Sequence, residues 1–185
     1  MKKYILIAGV NGAGKSTLYR TLDSLQQMER INTDEIIRSF GDWNNPADVL
    51  KAGKIAVAKI QDCFEKGITF NQETTLCGNV VVKNIELARK LGYEVELHYV
   101  GVDTVEIAKE RIAYRVAHGG HGISDSDVER RYKESFEQLN KLKSNCDLVI
   151  LYDNTNVFER FAIYKNGNFW GEEKKFPLWF KKYIQ

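Results

Sequence analysis

The sequence has little of what would mark several large classes of protein. Only 2 of its 185 residues are proline, while 28% are charged and 11% aromatic, which excludes collagen-like repeats and argues against disorder. Its 3 cysteines form no CxxC pair and no Cys/His cluster, so neither a disulfide framework nor a zinc centre is expected. The remaining composition, with 43% hydrophobic residues, is typical of one globular domain.

The net charge and the length of the apolar runs limit which partners and which cellular compartment are expected. The 27 basic and 25 acidic residues leave a net charge of +2, too little for a general nucleic-acid binder, which must neutralise several phosphates at once. No run reaches the roughly 20 apolar residues that cross a bilayer. The apolar run at residues 4–8 is too short for a signal peptide and leads into a glycine loop. We expect a cytoplasmic protein that binds neither nucleic acid nor membranes.

Short apolar runs alternate with amphipathic stretches, which predicts a three-layer α/β fold with a five-stranded parallel sheet. Asn79, Asp103 and Ser124 are the expected N-caps of the last three helices. The predicted strands span residues 3–8, 30–33, 67–72, 93–102 and 147–152, and the predicted helices span residues 15–25, 46–66, 80–91, 104–117 and 125–143.

The C-terminal part, residues 158–185, has a different pattern. Asn166-Gly167 lies between two apolar runs, the strongest short signal for a β-hairpin. Aromatic residues crowd this part, and we expect them to pack on the core rather than form a partner surface, because large aromatic side chains mostly serve burial. The whole chain is thus expected to be one domain.

The sharpest motif is GVNGAGKST at residues 9–17, which satisfies G-x-x-x-x-G-K-[ST] between a predicted strand and a predicted helix. Such a phosphate loop (P-loop) surrounds phosphate with backbone N–H groups at the positive end of a helix dipole. The motif predicts a P-loop NTPase fold that binds ATP, with Lys15 on the β- and γ-phosphates and the Ser16 hydroxyl on Mg²⁺. The residues predicted to hold the nucleotide are Asn11, Gly12, Ala13, Gly14, Lys15, Ser16 and Thr17.

Acidic residues follow two of the predicted strands, Asp34 after the second and Glu73 after the third. Ligands of open α/β sheets bind at the carboxyl ends of the strands, so both carboxylates are expected there. A kinase that phosphorylates a hydroxyl needs a carboxylate to take its proton, and we predict that Asp34 is this base. Glu73 and Thr74 are predicted to hold the substrate. The alternatives are a helix cap at Asp34, a salt bridge at Glu73 and a turn at Thr74.

A basic, glycine-containing stretch at about residues 111–131 is predicted to form a lid. Arg115 is expected to contact the transferred phosphoryl group, because its planar guanidinium binds phosphate oxygens in two places. Arg130 and Arg131 are predicted to bind the substrate, with a solvated helix face as the alternative for each. Because adjacent helical residues diverge, one of the two is expected to point away.

Three further polar residues are weaker candidates. His118 and His121 are too few for a metal cluster, and a turn or packing role in the lid is expected, with phosphate contact as the alternative for His121. Asn154 follows the last predicted strand, where kinase-like chain order places the adenine, so it is predicted to contact the nucleotide unless it only forms a turn.

Two classes of function remain open on these residues. The first is an ATP-dependent kinase that phosphorylates a hydroxyl of a small metabolite, with a nucleoside or shikimate-like kinase as a variant. The second is a nucleotide-binding ATPase or switch that acts through a protein partner. Carboxylates at two strand ends facing a P-loop favour the kinase.

Taken together, these segments resemble the zeta-toxin-like P-loop kinases, including their chromosomal branch. The matching segments, in order over residues 3–155, are GVNGAGKST, INTDEI, FNQETTLCG, GYEVELHYVGV, RVAHGGHGIS with ERRY, and YDNT. The resemblance implies a five-stranded parallel sheet of the kinase type. It also implies transfer of the γ-phosphate of ATP, with Mg²⁺, to a sugar hydroxyl of UDP-N-acetylglucosamine.

The resemblance also assigns roles by motif. Asp34 resembles the acceptor-activating aspartate, and Glu73 with Thr74 resembles the substrate-holding pair. Arg115, with Arg130 or Arg131, resembles the lid arginines, while Lys15 and Ser16 match the nucleotide and metal residues. An antitoxin protein is the macromolecular partner that this family implies.

Overall fold

The computed structural model describes residues 1–185 and contains one mixed sheet of seven strands. The strands are β1 (Lys3–Gly9), β2 (Glu29–Ile31), β3 (Phe70–Thr74), β4 (Glu94–Gly101), β5 (Leu148–Asp153), β6 (Glu159–Lys165) and β7 (Asn168–Gly171). Their order is β2-β3-β1-β4-β5-β6-β7. The first five strands pair in parallel, and the last two join in antiparallel fashion. The predicted α/β fold with a five-stranded parallel sheet is confirmed, and the C-terminal hairpin extends that same sheet.

Eight α-helices surround the sheet. They are α1 (Lys15–Thr21), α2 (Asp23–Gln26), α3 (Thr33–Arg38), α4 (Pro46–Lys66), α5 (Asn79–Lys90), α6 (Val105–Ala117), α7 (Asp125–Leu142) and α8 (Leu178–Tyr183). Short 3-10 turns lie at Lys143–Asn145 and Glu173–Lys175. The longest helix, α4, begins where the Asn45 side chain accepts a hydrogen bond from Ala47 N and ends at Gly67, with φ 65°, as glycine permits after a helix. No helix is both long enough and apolar enough to cross a membrane.

Several predicted boundaries were wrong for local reasons. The single helix expected at residues 15–25 is divided into α1 and α2 by the extended backbone of Leu22. Strand β2 stops at Ile31 because Asn32 caps the short helix α3, which was not among the predicted elements. Strand β3 begins three residues later than predicted and ends two residues later, at Thr74, so it includes Glu73.

Only one of the three predicted helix caps is confirmed. Ser124 caps α7, where its hydroxyl accepts a hydrogen bond from Asp127 N at 3.3 Å. Asn79 is wrong, because α5 already begins at that residue. Asp103 is also wrong, because Thr104 caps α6. The Asp103 carboxylate instead accepts a hydrogen bond from Trp179 N at 3.0 Å, which fixes the start of α8.

The aromatic C-terminal tail is part of the core. Trp179 is fully buried, stacks on Phe136 and packs against Phe161. Its indole N–H donates to Asp153 Oδ1 at 2.9 Å. Since Asp153 ends β5, the tail supports the end of this strand and the start of the loop that follows it. The expectation that the tail packs on the core therefore agrees with the structure.

Replacing Trp179 should destabilise the whole domain. We expect Trp179→Ala to lower the free energy of unfolding by about 3–5 kcal/mol, because it leaves a cavity among aromatic rings. It would also remove one of the two hydrogen-bond donors to Asp153 Oδ1, leaving only the Thr155 hydroxyl. Urea unfolding followed by circular dichroism measures the change. Trp170→Ala, on the exposed hairpin, is the matched control and should change stability by less than about 0.5 kcal/mol.

Candidate functional site

The P-loop connects β1 to α1 at the carboxyl edge of the sheet. Lys15 is buried there, and its ammonium donates hydrogen bonds to the carbonyl oxygens of Gly9 at 2.9 Å and Val10 at 3.1 Å. Burial lowers the Lys15 pKa, while the carboxylates of Glu73 and Asp34 act in the opposite direction. The positive charge is thus held inside the loop, close to both predicted carboxylates.

Asn154 braces the P-loop from the opposite side. Its side-chain amide donates to Ala13 O at 2.8 Å. This hydrogen bond joins the loop after β5 to the P-loop, although the two residues are 141 positions apart in the sequence. Gly14 has φ 105°, and a Cβ at this position would lie 2.5 Å from Asn154 Nδ2. Only glycine fits both the backbone conformation and this approach. Arg111 supports the arrangement by donating to the carbonyls of Asn154 and Thr155 at 2.6 and 3.2 Å.

Glu73 lies at the centre of a buried polar network beside the P-loop. Its carboxylate accepts hydrogen bonds from Arg30 Nη2 at 2.7 Å, Asn32 Nδ2 at 3.1 Å and Ser16 Oγ at 3.2 Å. The Glu73 side chain is only 8% exposed. The salt bridge that the sequence left open for Glu73 therefore exists, and it fixes this carboxylate next to the serine of the P-loop.

Sequence reasoning missed Arg30 and Asn32 as site residues. Arg30 stacks over the Tyr19 ring at 3.5 Å and also pairs with Glu35, so its guanidinium is fixed on two sides. Both residues lie at the carboxyl end of β2, and an Arg and an Asn at a strand end next to a predicted carboxylate were the available signal. Their contact with Glu73 spans more than 40 positions, which no local pattern reports.

Asp34 lies in the first turn of α3 and has a 41% exposed side chain. The helix cap is Asn32, whose Oδ1 accepts a hydrogen bond from Asp34 N at 2.9 Å. The alternative that Asp34 caps this helix is therefore wrong, and its carboxylate is free to face the site. Thr74 does form a turn, because its hydroxyl accepts from the backbone N–H of Leu76 at 3.0 Å.

Arg115 lies in the last turn of α6, and its guanidinium lacks hydrogen-bond partners. Its Nε and Nη2 atoms are buried without a hydrogen bond, and burial lowers its pKa while Asp34 and Glu73 act against that shift. The loop at residues 118–124 approaches it so closely that a Cβ on Gly120 would lie 2.5 Å from Arg115 Cγ. Buried guanidinium donors are normally satisfied, so these two nitrogen atoms can still bind an anion.

A cleft of about 620 Å³ opens between this loop and the segment joining α3 to α4. Arg38, Trp43, Arg115 and His121 are among the residues that line it. The cleft therefore presents two guanidinium groups and aromatic surfaces beside Asp34.

The remaining predicted residues are less involved. Arg130 is tied to Asp127 and Glu134 in ion pairs on the surface of α7, with a 58% exposed side chain. Arg131 is half-buried, and its carbonyl accepts a contact from the Cys77 thiol in the loop after β3. Thr17 is exposed on α1, and Asn11 has a buried side-chain oxygen without a partner. Of the two adjacent arginines, Arg131 is thus the more buried.

Comparisons with known proteins agree with this architecture. The sequence model described as zeta toxin matches residues 1–168. An uncharacterized protein of Haemophilus influenzae is 35% identical over 130 residues, which is 70% of this chain and 92% of that protein.

Solved structures show the same fold. One is a complex of AvrRxo1-ORF1 and AvrRxo1-ORF2 with sulphate ions, with a TM-score of 0.76 and 12% identity, covering 100% of this chain. The chain spans 64% of that protein's length. Another is from the PezAT chromosomal toxin-antitoxin system of Streptococcus pneumoniae, with a TM-score of 0.63 and 20% identity over 85% of this chain and 70% of that one.

A third solved structure is a putative kinase from Chloroflexus aurantiacus, with a TM-score of 0.56 and 17% identity over 71% of this chain and 78% of that one. The kinase-type arrangement of the sheet, the P-loop and the family match over nine-tenths of the chain agree with one another. This protein therefore belongs to the zeta toxin family.

Proposed function

We propose that this protein transfers the γ-phosphate of ATP to a hydroxyl of a small metabolite, with a nucleotide sugar such as UDP-N-acetylglucosamine as the acceptor. One observation carries the proposal: the buried P-loop lysine, two carboxylates and an unpartnered buried guanidinium converge on one site. The four groups come from four separate elements: Lys15, Asp34, Glu73 and Arg115. They are close enough to interact electrostatically, because the two carboxylates affect the pKa of both basic groups. Phosphoryl transfer needs this combination of positioning and positive charge.

The nucleotide side of the site is the P-loop. Backbone N–H groups and Lys15 would bind the phosphates of ATP, while Asn154 keeps the loop in shape from behind. The surroundings of Ser16 also fit Mg²⁺, because its hydroxyl oxygen and a Glu73 carboxylate oxygen, 3.2 Å apart, are both ligands that this ion prefers. When bound, Mg²⁺ neutralises phosphate charge.

Asp34 is proposed as the general base on the acceptor side. It is the carboxylate with the greater freedom, since Glu73 is fixed by Arg30, Asn32 and Ser16. Asp34 would accept the proton of the acceptor hydroxyl as that oxygen attacks the γ-phosphorus and the bond to ADP breaks. Glu73 would keep Ser16, Arg30 and Asn32 in position beside the P-loop through its three hydrogen bonds.

Arg115 is proposed to bind the phosphoryl group as it moves between donor and acceptor. Two of its nitrogen atoms are buried and unpartnered, so an incoming phosphoryl group would supply the missing acceptors. Together with the 118–124 loop it would form the moving part of a lid. Thr74 and Arg131 are proposed to contact the acceptor from the β3 and α7 sides, and Arg130 is a weaker candidate because its surface ion pairs already occupy it.

An antitoxin partner is also proposed. It is supported by the toxin-antitoxin system named for the Streptococcus pneumoniae structure, which has the same fold. A neighbouring reading frame that encodes a protein that co-purifies with this chain and blocks ATP binding would support this partner. If none of the proteins encoded by neighbouring reading frames affects the activity, the proposed antitoxin partner is contradicted.

Radiolabelled ATP, Mg²⁺ and a panel of nucleotide sugars, nucleosides and other hydroxyl-bearing metabolites test the reaction directly. We expect the label on UDP-N-acetylglucosamine or a related sugar, and mass spectrometry or NMR would locate it. Lys15→Met should remove the transfer, because the loop loses its ammonium. Tight ATP binding without any phosphorylated product would contradict the proposal.

A further inference from the structure

Two aromatic side chains join segments that are far apart in sequence at the mouth of the cleft. Trp43 lies between α3 and α4, and His121 lies in the 118–124 loop. Their rings are stacked, with centroids 3.8 Å apart and an angle of 10° between the planes. The contact fixes both the distance and the orientation of the loop relative to the α3–α4 segment.

His121 differs from the loop that carries it. Its side chain is 8% exposed, whereas the neighbouring residues His118, Gly119, Gly120 and Gly122 are exposed. The ring therefore anchors a loop that has little other burial. Its Nε2 atom lies 3.4 Å from Asp34 Oδ2.

We propose that Trp43 and His121 form an aromatic latch that fixes the 118–124 loop at the acceptor side of the cleft and orients the Asp34 carboxylate for proton abstraction. This inference rests on the proposed function, in which Asp34 is the base. His121 acts here as a positioning residue, because its effect on the reaction passes through Asp34. Trp43 in turn positions the His121 ring.

The chemistry of the two groups supports this role. A carboxylate can only accept hydrogen bonds, so the imidazole must donate through Nε2–H when it contacts Asp34. The distance of 3.4 Å is long for such a bond, and catalytic hydrogen bonds often tighten only when substrate binds. Without this contact a 41% exposed carboxylate would sample several orientations, most of them unproductive.

The surroundings of His121 favour the neutral form of its ring. Burial lowers the His121 pKa; Arg115 of α6 and Arg38 of α3 lower it further, while Asp34 of α3 opposes them. A neutral ring stacks on the indole and still donates one hydrogen bond. Protonation at lower pH would place an imidazolium directly on the Trp43 ring.

Four substitutions separate the two contacts of the latch. His121→Phe keeps the stack and removes the donor, whereas His121→Gln keeps a donor and removes the stack. Trp43→Ala removes the ring that stacks on His121, whereas Trp43→Phe keeps an aromatic ring at this position. We expect kcat to fall roughly 10- to 100-fold in the first three variants while the KM for ATP stays unchanged, because only the acceptor side is misaligned. Trp43→Phe should recover most of kcat.

Phe40→Ala is the matched control. Phe40 is a partly exposed aromatic residue three positions before Trp43, and it contacts Lys51 rather than the cleft. Its kcat should equal that of the wild-type protein. Wild-type kcat in His121→Phe would overturn the positioning role, because the stack alone would then suffice. Absence of any phosphorylated product with the wild-type protein is a different result, which contradicts the proposed function itself.

Fluorescence tests the latch without any reaction. The His121 ring covers one face of the Trp43 indole, so its loss in His121→Gln should increase the quenching of Trp emission by acrylamide at pH 7.5. His121→Phe keeps a stacked ring and should match the wild-type protein, and Trp43→Phe gives the contribution of the other two tryptophans. Equal quenching in His121→Gln and the wild-type protein would show that the rings do not stack in solution and would overturn the latch.

Discussion

Asp34→Asn is expected to lower the rate of phosphoryl transfer by about 10²–10⁴-fold, the usual contribution of a general base. Asparagine has the same shape and can still contact His121, but it cannot accept the proton of the acceptor hydroxyl. ATP binding should be unchanged, because the carboxylate lies at the acceptor side rather than in the P-loop. Initial rates with the identified acceptor and calorimetric titration with ATP measure the two quantities.

Asp23→Asn is the control for that substitution. Asp23 also lies in the first turn of a short helix, α2, but it is exposed and forms no contact with the P-loop network. Its rate should equal the wild-type rate. Full activity in Asp34→Asn would exclude Asp34 as the base. Glu73 would not be a simple replacement, since three hydrogen bonds already fix its carboxylate.

Arg115→Met should have the other large effect, a loss of about 10³-fold or more in transfer rate, as expected for an arginine that stabilises the moving phosphoryl group. This substitution should lower the activity without lowering the stability of the fold. The guanidinium is buried with unpartnered nitrogen atoms, so removing it relieves a desolvation cost. We therefore expect a thermal midpoint equal to or above that of the wild-type protein, measured by differential scanning fluorimetry.

Arg111→Met provides the contrast one turn earlier on the same helix. Arg111 donates to the carbonyls of Asn154 and Thr155, so its loss leaves buried acceptors without donors and should lower the thermal midpoint. If Arg115→Met destabilises the fold as much as Arg111→Met does, Arg115 has a structural role. If it also retains its transfer rate, the proposed contact with the phosphoryl group is wrong.

Local patterns predicted the elements of this fold well where one physical cause dominates. The P-loop motif requires glycines and a following helix, and α4 is bounded by an Asn cap, an early proline and a terminal glycine. The hairpin at Asn166-Gly167 follows from backbone conformations with positive φ at both residues. Caps at Asn79 and Asp103 failed because a neighbouring residue was equally able to begin the helix.

The site was predictable only in part. Lys15, Ser16 and Asp34 belong to short segments whose chemistry is legible in sequence, and the structure brings them together with Glu73. Arg30 was missed because its role depends on Glu73, which is 43 positions away. Long-range pairs of this kind arise from the parallel order of β2, β3 and β1, which places their carboxyl ends side by side.

The sequence alone determined that this protein has a P-loop in an α/β fold with acidic strand ends, because each of these features depends on neighbouring residues. The tertiary structure decided which charges meet. It buried Glu73 between Arg30 and Ser16, left Arg115 without a partner, and stacked His121 on Trp43 beside Asp34. Packing sets these distances. Desolvation increases the interaction energies at those distances, since a charge excluded from water interacts strongly with its few remaining neighbours.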